Sequence, residues 1–163
     1  MEIFMDACTL ILLAKASVLE TALENYNIAV TKYVYDEVME GKSKMFQDAF
    51  LVDKLQKENK LKQVDSDRKM VEKLVQDFNM GKGEASTIAV AIKEKSMVAT
   101  DDKQGRKAAK INNLALLSSI QVTISLYKKK RISREKVIQA IKILEEKGRF
   151  EKNIIEKALE GIK

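Results

Sequence analysis

Short apolar runs alternate with stretches of helical periodicity along the whole chain, and this alternation predicts an α/β fold. Apolar runs predict strands at residues 2–5, 28–30, 61–64, 97–99 and 114–117. Apolar residues at helical spacing predict helices over residues 9–26, 31–39, 43–58, 66–78, 84–95, 101–110 and 118–129. Because strands that alternate with helices form sheets covered on both faces, we expect a short parallel sheet wrapped by helices, an α/β/α sandwich.

Capping signals and the end of the chain refine this outline. Predicted N-caps are Thr31, Ser66 and Ser133, and predicted helix stops are Gly41, the segment from Gly81 to Gly83, and Gly148. Two further helices are predicted over residues 134–147 and 151–161. No Pro- or Gly-rich linker divides the chain. We therefore expect an α/β domain over residues 1–130 and a helical C-terminal extension, residues 131–163, packed on the same domain.

The amphipathic segment over residues 43–58 has two interpretations. Its apolar residues are Met45, Phe46, Phe50 and Leu55. They form either part of the core or a surface for a partner or a second copy of the chain. Plain core packing is the interpretation that the pattern favours.

Composition narrows the chemistry that this protein can perform. The chain has 163 residues, 45% of them apolar and 33% charged, which is typical of a folded globular protein. It has no His and one Cys. This excludes Ser-His-Asp and Cys-His nucleophile systems, internal disulfides and Cys-rich zinc sites. An enzyme built from the remaining residues would rely on carboxylates, and a hard cation such as Mg²⁺ or Mn²⁺ would be their natural ligand.

Charge and the N-terminal segment indicate where such a protein acts. The 30 Lys and Arg exceed the 24 Asp and Glu, which gives a formal net charge of +6 and suits a polyanionic partner. Acids at Glu2 and Asp6, without a basic segment before them, argue against a signal peptide. No apolar run approaches the roughly 18 residues that a membrane span needs. We expect a cytoplasmic protein that does not insert into a membrane.

Acidic residues follow two of the predicted strands directly. Asp6 comes after the first strand, and Asp101 and Asp102 come after the fourth. Ligands of parallel sheets bind at the carboxyl ends of the strands, so these acids would lie at one edge. Each also begins a helix, and ordinary helix capping explains any one of them equally well.

Two further acids lie in apolar surroundings. Glu37 stands between Val34 and Val38, and Glu84 begins the small and apolar segment 83–93. An acid that faces inward costs several kcal/mol unless it is paired or coordinates a cation. If these acids converged with those at the strand ends, a divalent metal would relieve their repulsion.

Four segments together resemble a known family. MDACTLILLAK (5–15), VTKYVYDEV (30–38), GKGEASTIAVA (81–91) and VATDDKQGRKAAK (98–110) resemble, in order and spacing, the acidic motifs of PIN-domain ribonucleases. The likeness is greatest to small prokaryotic members with an Asp-Asp-x-x-x-Arg ending and a helical tail, such as the VapC-like toxins. It covers roughly residues 1–120, and the segment 143–150 is similar to the tail of that subgroup.

The resemblance assigns roles to individual residues. It implies that the catalytic acids are Asp6, Glu37, Glu84 and Asp102, and that these four hold the metal together with Asp101. Residues implied to support the site or to contact a phosphate are Thr9, Thr100 and Arg106. Residues implied to contact nucleic acid are Lys15, Lys103, Lys107 and Lys110. One position departs from the family pattern, because Cys8 stands where relatives carry a small hydroxyl or amide residue. A thiol is a poor Mg²⁺ ligand, so either Thr9 supplies the hydroxyl or that contact is missing. Cys8 itself is predicted to be a small core residue rather than a nucleophile.

The resemblance also implies an activity and partners. It implies a metal-dependent ribonuclease, an endonuclease that uses Mg²⁺ or Mn²⁺ to hydrolyse RNA and leaves a 5′-phosphate and a 3′-hydroxyl. Many small PIN proteins are toxins restrained by an antitoxin protein, and many form homodimers. Toxin and RNA-processing enzyme both remain open, as do the presence of an antitoxin and the number of metal ions.

Other readings of the sequence are weaker. A catalytically weak PIN-fold protein that binds RNA or a partner protein is the main alternative. A haloacid-dehalogenase-type phosphotransferase needs an acid where Cys8 stands, and a receiver domain needs an acid pair and a late Lys at other spacings. The basic run 128–131 is more simply a solvated helix end than an RNA contact.

Overall fold

A computed structural model describes residues 1–162, which form one parallel sheet and ten helices. The strands are β1 (Ile3–Met5), β2 (Ile28–Thr31), β3 (Lys62–Val64), β4 (Met97–Ala99) and β5 (Leu116–Leu117). The helices are α1 (Ala7–Lys15), α2 (Leu19–Asn25), α3 (Lys32–Ser43), α4 (Gln47–Lys57), α5 (Arg68–Phe78), α6 (Lys82–Glu94), α7 (Lys103–Ile111), α8 (Ser119–Lys128), α9 (Arg134–Lys147) and α10 (Lys152–Glu160). The predicted α/β class is confirmed.

The sheet has the strand order β3-β2-β1-β4-β5, and every pair is parallel. The N-terminal strand β1 is central, with Ile3 opposite Ile28 on one side and Met97 on the other. All carboxyl ends of the strands therefore point to one edge. The residues that directly follow β1 and β4 meet there, as the sequence predicts.

The sheet is covered on both faces, which makes the fold a three-layer α/β/α sandwich. Ile3 and Met5 belong to one hydrophobic cluster with residues of α1 to α4 and α8 to α10. Phe4, whose side chain points to the opposite face, belongs to a second cluster with residues of α5, α6 and α7. This alternation along β1 explains why the first strand is apolar at three successive positions.

The C-terminal helices share the first of these clusters. Buried residues of α9 and α10 pack with those of α1 and α8. Val137, Ile141 and Leu144 are fully buried on α9. Ser133 caps α9 by accepting a hydrogen bond from the Lys136 N–H at 3.1 Å. The bounds of α9 agree with the predicted helix 134–147.

Several predicted helix boundaries are wrong. The helix expected over residues 9–26 is two helices, because the chain turns at Ser17, whose φ of 57° lies in the left-handed region. Asp67, rather than Ser66, caps α5, since its carboxylate accepts from the Met70 N–H. Gly41 does not end α3, which continues to Ser43. Side-chain periodicity does not reveal such local backbone choices.

The predicted break between two helices is present, but α6 begins within the segment from Gly81 to Gly83 rather than after it. Gly81 is the N-cap of α6, and Gly83 lies inside its first turn. Glycine is tolerated at an N-cap, so a Gly-rich stretch can mark either end of a helix.

The prediction of core packing for residues 43–58 is also wrong in part. Leu55 is buried, but Met45, Phe46 and Phe50 are 76%, 57% and 41% exposed. The helix begins only at Gln47, because Met45 adopts a positive φ of 65° in the turn after α3. The three exposed side chains form an apolar surface patch at this turn and at the start of α4.

No helix within residues 1–162 is long and apolar enough to cross a membrane.

Candidate active site

Asp6 lies at the centre of the candidate site. It follows β1 directly and caps α1, and its side chain is buried at 1% exposure. Its Oδ1 accepts a hydrogen bond from the Thr9 N–H at 2.9 Å, and its Oδ2 accepts one from the Thr100 hydroxyl. Burial raises the pKa of the Asp6 carboxyl to about 6, although these two hydrogen bonds partly oppose the rise. The Asp6 carboxylate is thus buried and held in one orientation through both of its oxygens.

The hydroxyl of Thr9 joins the end of β1 to the end of β4. It donates to Asp101 Oδ2 at 3.1 Å and accepts from the Asp101 N–H at 3.0 Å. Asp101 Oδ1 also accepts from the Ser119 N–H, at 3.0 Å. Burial raises the pKa of the Asp101 carboxyl, while the Ser119 contacts lower it. Of the two possibilities left by Cys8, the structure therefore shows that Thr9 supplies a hydroxyl at this edge.

Asp102 begins the next helix of the site. Its Oδ2 caps α7 by accepting from the N–H groups of Gln104 and Gly105 at 2.8 and 3.0 Å. Its own N–H donates to Thr100 Oγ1 at 3.1 Å. The Thr100 hydroxyl thus links two acids of the site, since it also donates to Asp6. Asp102 therefore both caps a helix and belongs to the acid cluster, two roles that the sequence alone left as alternatives.

Glu84 enters the cluster from the first turn of α6. It is half-buried, and it borders the same narrow gap between side chains as Asp6 and Thr100. Burial, together with the negative charges of Asp102 and Asp6, raises the pKa of the Glu84 carboxyl to about 7. The acids of β1, α6 and α7 therefore lie close enough to repel one another.

Glu37 lies at the margin of this cluster, exposed on α3. Its Oε2 packs against Gly83, where a Cβ would collide with it. Its charge contributes to the raised pKa of Glu84, but less than Asp102 and Asp6 do. Partial burial and the neighbouring Glu40 raise the pKa of Glu37 itself. The absence of a Cβ at position 83 thus leaves room for the Glu37 carboxylate to lie directly against the first turn of α6.

A pair of buried hydroxyls that sequence reasoning missed positions α6. Thr31 Oγ1 and Ser86 Oγ are 2.6 Å apart, at the end of β2 and on α6. Ser86 also donates to the Gly83 carbonyl at 2.7 Å, and Thr31 caps α3 through the Val34 N–H at 3.2 Å. The small polar residues of the segment 83–93 were the available signal.

Ser119 is a second contact that sequence reasoning missed. Its N–H reaches Asp101 because α8 begins at the same edge of the sheet. Ser118 and Gln121 form a capping box that fixes this helix start. The residues of this capping box are visible in the sequence directly after the predicted fifth strand. They were therefore the available signal that a helix N-terminus lies near the acids.

Cys8 is exposed, so its prediction as a core residue is wrong. Residues 8, 11 and 15 share the outer side of α1, while Thr9 and Leu10 turn inward. Partial burial raises the pKa of the Cys8 thiol to about 12, with Asp6 and Asp101 contributing through their charge. The thiol stays protonated at neutral pH and is a weak nucleophile.

Basic residues of α7 border the acids. Arg106 donates to the Thr100 carbonyl oxygen at 3.1 Å, and its charge lowers the pKa of Asp101. Lys103, Lys107 and Lys110 are exposed and line one surface cleft along α7. This strip begins at the acid cluster and leads away from it, as a backbone contact for a polyanion would require.

Lys15 is not brought to the site. It ends α1, about 13 Å along the helix axis from Asp6. Its ammonium pairs with Asp48 of α4 at 2.7 Å. The predicted nucleic-acid residues therefore separate into three on α7 beside the acids and one at a distance from them.

A family model described as a PIN domain matches residues 2–163. The chain belongs to the PIN-domain family. PIN domains are generally nucleases and typically use divalent metal ions. No curated protein matches this chain. The match extends over the C-terminal helices of this PIN-domain protein as well as over its sheet.

Proposed function

We propose that this PIN-domain protein is a metal-dependent ribonuclease, an endonuclease that hydrolyses RNA phosphodiester bonds at its acidic sheet edge. The observation that carries this function is the convergence of Asp6, Glu84 and the Asp101–Asp102 pair from three separate segments of the chain. Glu37 borders this group. Helix capping accounts for Asp6 and Asp102 one at a time, but it does not require Glu84 beside them. Like charges brought together destabilise a fold unless a cation offsets their repulsion.

The donor set fits a hard divalent cation in its chemistry. All candidate ligands are carboxylate oxygens, which Mg²⁺ and Mn²⁺ prefer. Within residues 1–162, no group of three or more Asp, Glu or Cys side chains is placed so that it could hold a metal ion as it stands. Mg²⁺ commonly needs only one or two carboxylates, with water and substrate phosphate completing its shell. One or two of Asp6, Glu84 and Asp102 would therefore hold the ion directly, and the remaining acids of the group, with Asp101 and Glu37, would lie around it as outer carboxylates.

When bound, such an ion lowers the pKa of a water and offsets the charge of an in-line displacement. The chain's own residues position the reacting groups. Thr9 and Thr100 fix the carboxylates of Asp101 and Asp6 through their hydroxyls. Arg106, tethered to the Thr100 carbonyl, retains guanidinium donors for a phosphate oxygen. The exposed lysines of α7 hold the strand through its backbone, without reading its sequence.

The nuclease function is tested by cleavage of a mixed-sequence single-stranded RNA with Mg²⁺ or Mn²⁺. We expect cleavage by the wild type, products with 5′-phosphates, and background cleavage by the Asp6→Asn/Asp102→Asn double variant. Glu94→Gln is the control, because Glu94 is exposed at the end of α6 opposite to Glu84. Full cleavage by the double variant, or no Mn²⁺ binding by the wild type in calorimetry, contradicts the proposal.

The main alternative is a PIN-fold module that binds RNA or protein without cutting. The lack of a three-carboxylate group and the thiol of Cys8 beside the acids favour it. RNA binding without cleavage under any divalent ion, in a protein that binds Mn²⁺ poorly, would identify such a module.

We also propose an RNA substrate, an antitoxin protein if the enzyme is a toxin, and a homodimer. The apolar patch of Met45, Phe46 and Phe50 supports an interface with another chain. Light scattering after gel filtration tests the dimer. A neighbouring gene for a small DNA-binding protein, and growth arrest on induced expression, would favour a toxin over an RNA-processing enzyme.

A further inference from the structure

A cleft of about 500 Å³ adjoins the acid cluster on the side of the C-terminal helices. Asp101 and Arg106 of the candidate site line it, together with Arg149 and Phe150 of the α9–α10 connection. This volume lies within the range of about 300 to 1,000 Å³ that is typical of small-ligand sites. The cleft is therefore continuous with the candidate active site, and it is large enough for part of a substrate.

The charges that line the cleft favour a phosphate. Lys103, Arg106 and Arg149 contribute positive groups, against the carboxylates of Asp101 and Glu151. Of the ion pairs found among residues 1–162, none involves Lys103 or Arg149. Asp101 is already engaged by hydrogen bonds from Thr9 and Ser119. The charged groups of Lys103 and Arg149 are thus available to an anionic ligand in the cleft.

Phe150 gives the same cleft an aromatic wall. Its side chain is partly exposed and packs against the core, and its ring lies against Gly148, where a Cβ would collide with it. The close approach to a glycine holds the ring in place at the cleft. Ile154, 42% exposed on α10, extends the apolar wall. A fixed aromatic ring beside an arginine is a typical platform for an unpaired base.

We propose that this cleft binds one nucleotide of a single-stranded RNA, with the base stacked on Phe150 and the phosphate paired with Arg149. The nucleotide lies next to the phosphodiester bond at the acids, so its place in the strand rests on the proposed function. Bases in a duplex are stacked on one another and cannot reach such a ring. The cleft thereby selects unpaired RNA, and the C-terminal helices contribute directly to substrate recognition.

The test is fluorescence anisotropy of a short fluorescein-labelled single-stranded RNA in EDTA, where metal-dependent cleavage does not consume the probe. Phe150→Leu keeps an apolar side chain but removes the π face, and we expect about tenfold weaker binding. Phe150→Trp retains stacking and should bind as the wild type does. Arg149→Ala should reduce the dependence of log K on log salt by about 0.7, the amount for one phosphate contact of a single strand.

Matched control variants lie on α9 and α10, the two helices that the connection with Arg149 and Phe150 joins. Lys147→Ala removes an exposed charge of α9, and Leu159→Ala removes an exposed apolar side chain of α10; neither residue lines the cleft. Both variants should retain wild-type affinity. Independently of any substitution, an RNA with photoreactive 4-thiouridine should crosslink to the peptide that carries residues 148–154.

Three results would each overturn the cleft assignment. They are equal RNA affinity of the wild type and both Phe150 variants, crosslinks elsewhere with none in this peptide, and equal competition by duplex and single-stranded RNA. If the protein cuts RNA while Phe150 has no effect, the nucleotide site is wrong and the nuclease stands. If Phe150 governs binding in a protein that never cuts, the nuclease is wrong and the nucleotide site stands.

Discussion

Replacing Glu84 by Gln should stabilise the metal-free protein above pH 7 while it abolishes RNA cleavage. The carboxylate is half-buried, and burial together with Asp102 and Asp6 raises its pKa to about 7. In the unfolded chain the pKa of a glutamate is about 4.3. The folded protein therefore binds this proton more tightly than the unfolded chain does, and stability falls as the pH rises from about 4 through about 7.

The size of the effect follows from that rise in pKa. At about 1.4 kcal/mol per pKa unit, the ionised Glu84 destabilises the fold by at most about 4 kcal/mol at pH 8. Solvent reaches part of this side chain, which reduces the figure to about 1.5 kcal/mol. Gln also loses the favourable interaction of a carboxylate with the N-terminus of α6, about 0.5 kcal/mol. We expect a net gain of about 1 kcal/mol, or a rise in Tm of about 2 to 4 °C.

Thermal unfolding in EDTA at pH 8 and pH 4.5 measures this difference. The gain should be present at pH 8 and absent at pH 4.5. Mn²⁺ should stabilise the wild type more than the variant, because the metal would bind the carboxylate. Glu94→Gln, at the exposed far end of the same helix, is the control and should change neither Tm nor cleavage. A Tm of the Glu84→Gln variant that is unchanged or lower at pH 8 would refute the electrostatic reasoning.

Three further substitutions test other parts of the structure. Thr100→Val removes the hydroxyl that links two site acids, so we expect the free energy of unfolding in urea to fall by about 1 to 3 kcal/mol and RNA cleavage to decrease. Wild-type stability together with wild-type cleavage would refute this role of Thr100. Gly83→Ala places a Cβ against the Glu37 carboxylate, so RNA cleavage should fall while the circular dichroism spectrum stays unchanged. Gly81→Ala has open space around the new Cβ and should cleave RNA normally. Equal cleavage by the two variants would show that the contact between Gly83 and Glu37 is irrelevant to activity. Leu144→Ala creates a cavity beneath α9, and denaturant unfolding should show one transition, destabilised by about 2 to 5 kcal/mol; a separate early transition would indicate an independently folding tail.

The sheet edge could be predicted because a single rule of topology acts on residues whose order is visible. Asp6 and Asp102 follow strands directly, so a parallel sheet of any strand order brings them to the same edge. The distance between neighbouring acids could not be predicted in this way. It depends on contacts such as the buried Thr31–Ser86 hydrogen bond, which joins α6 to the end of β2, and on the room that Gly83 leaves for the Glu37 carboxylate.

Side-chain direction was the weaker part of the prediction. Cys8 was assigned to the core by residue type, although its spacing from Lys15 places both on the outer side of α1. The error over Cys8 arises when helical phase is not applied to each residue. Lys15 was predicted as a nucleic-acid contact two or so turns along the same helix, and the structure places it at the end of α1, paired with Asp48.

The cleft beside Phe150 lay beyond sequence reasoning for a different reason. Where α10 lies against the body of the protein depends on packing between elements that are distant in sequence. Periodicity identifies which face of a helix is buried but not which element covers it. Neither the cleft nor its relation to Arg106 follows from any local pattern.

The central place of β1 has a consequence for how the molecule is made. Strand β1 leaves the ribosome long before its partner β4, and the Asp6–Thr100 bond joins residues 94 positions apart. A nascent or truncated chain that ends before β4 can pair β1 with β2 and β3, but it lacks Thr100, Asp101 and Asp102 and therefore half of the acid cluster. Domains with such distant pairing fold slowly. Synthesis itself thus provides an interval in which the cell holds the polypeptide but not yet the assembled site.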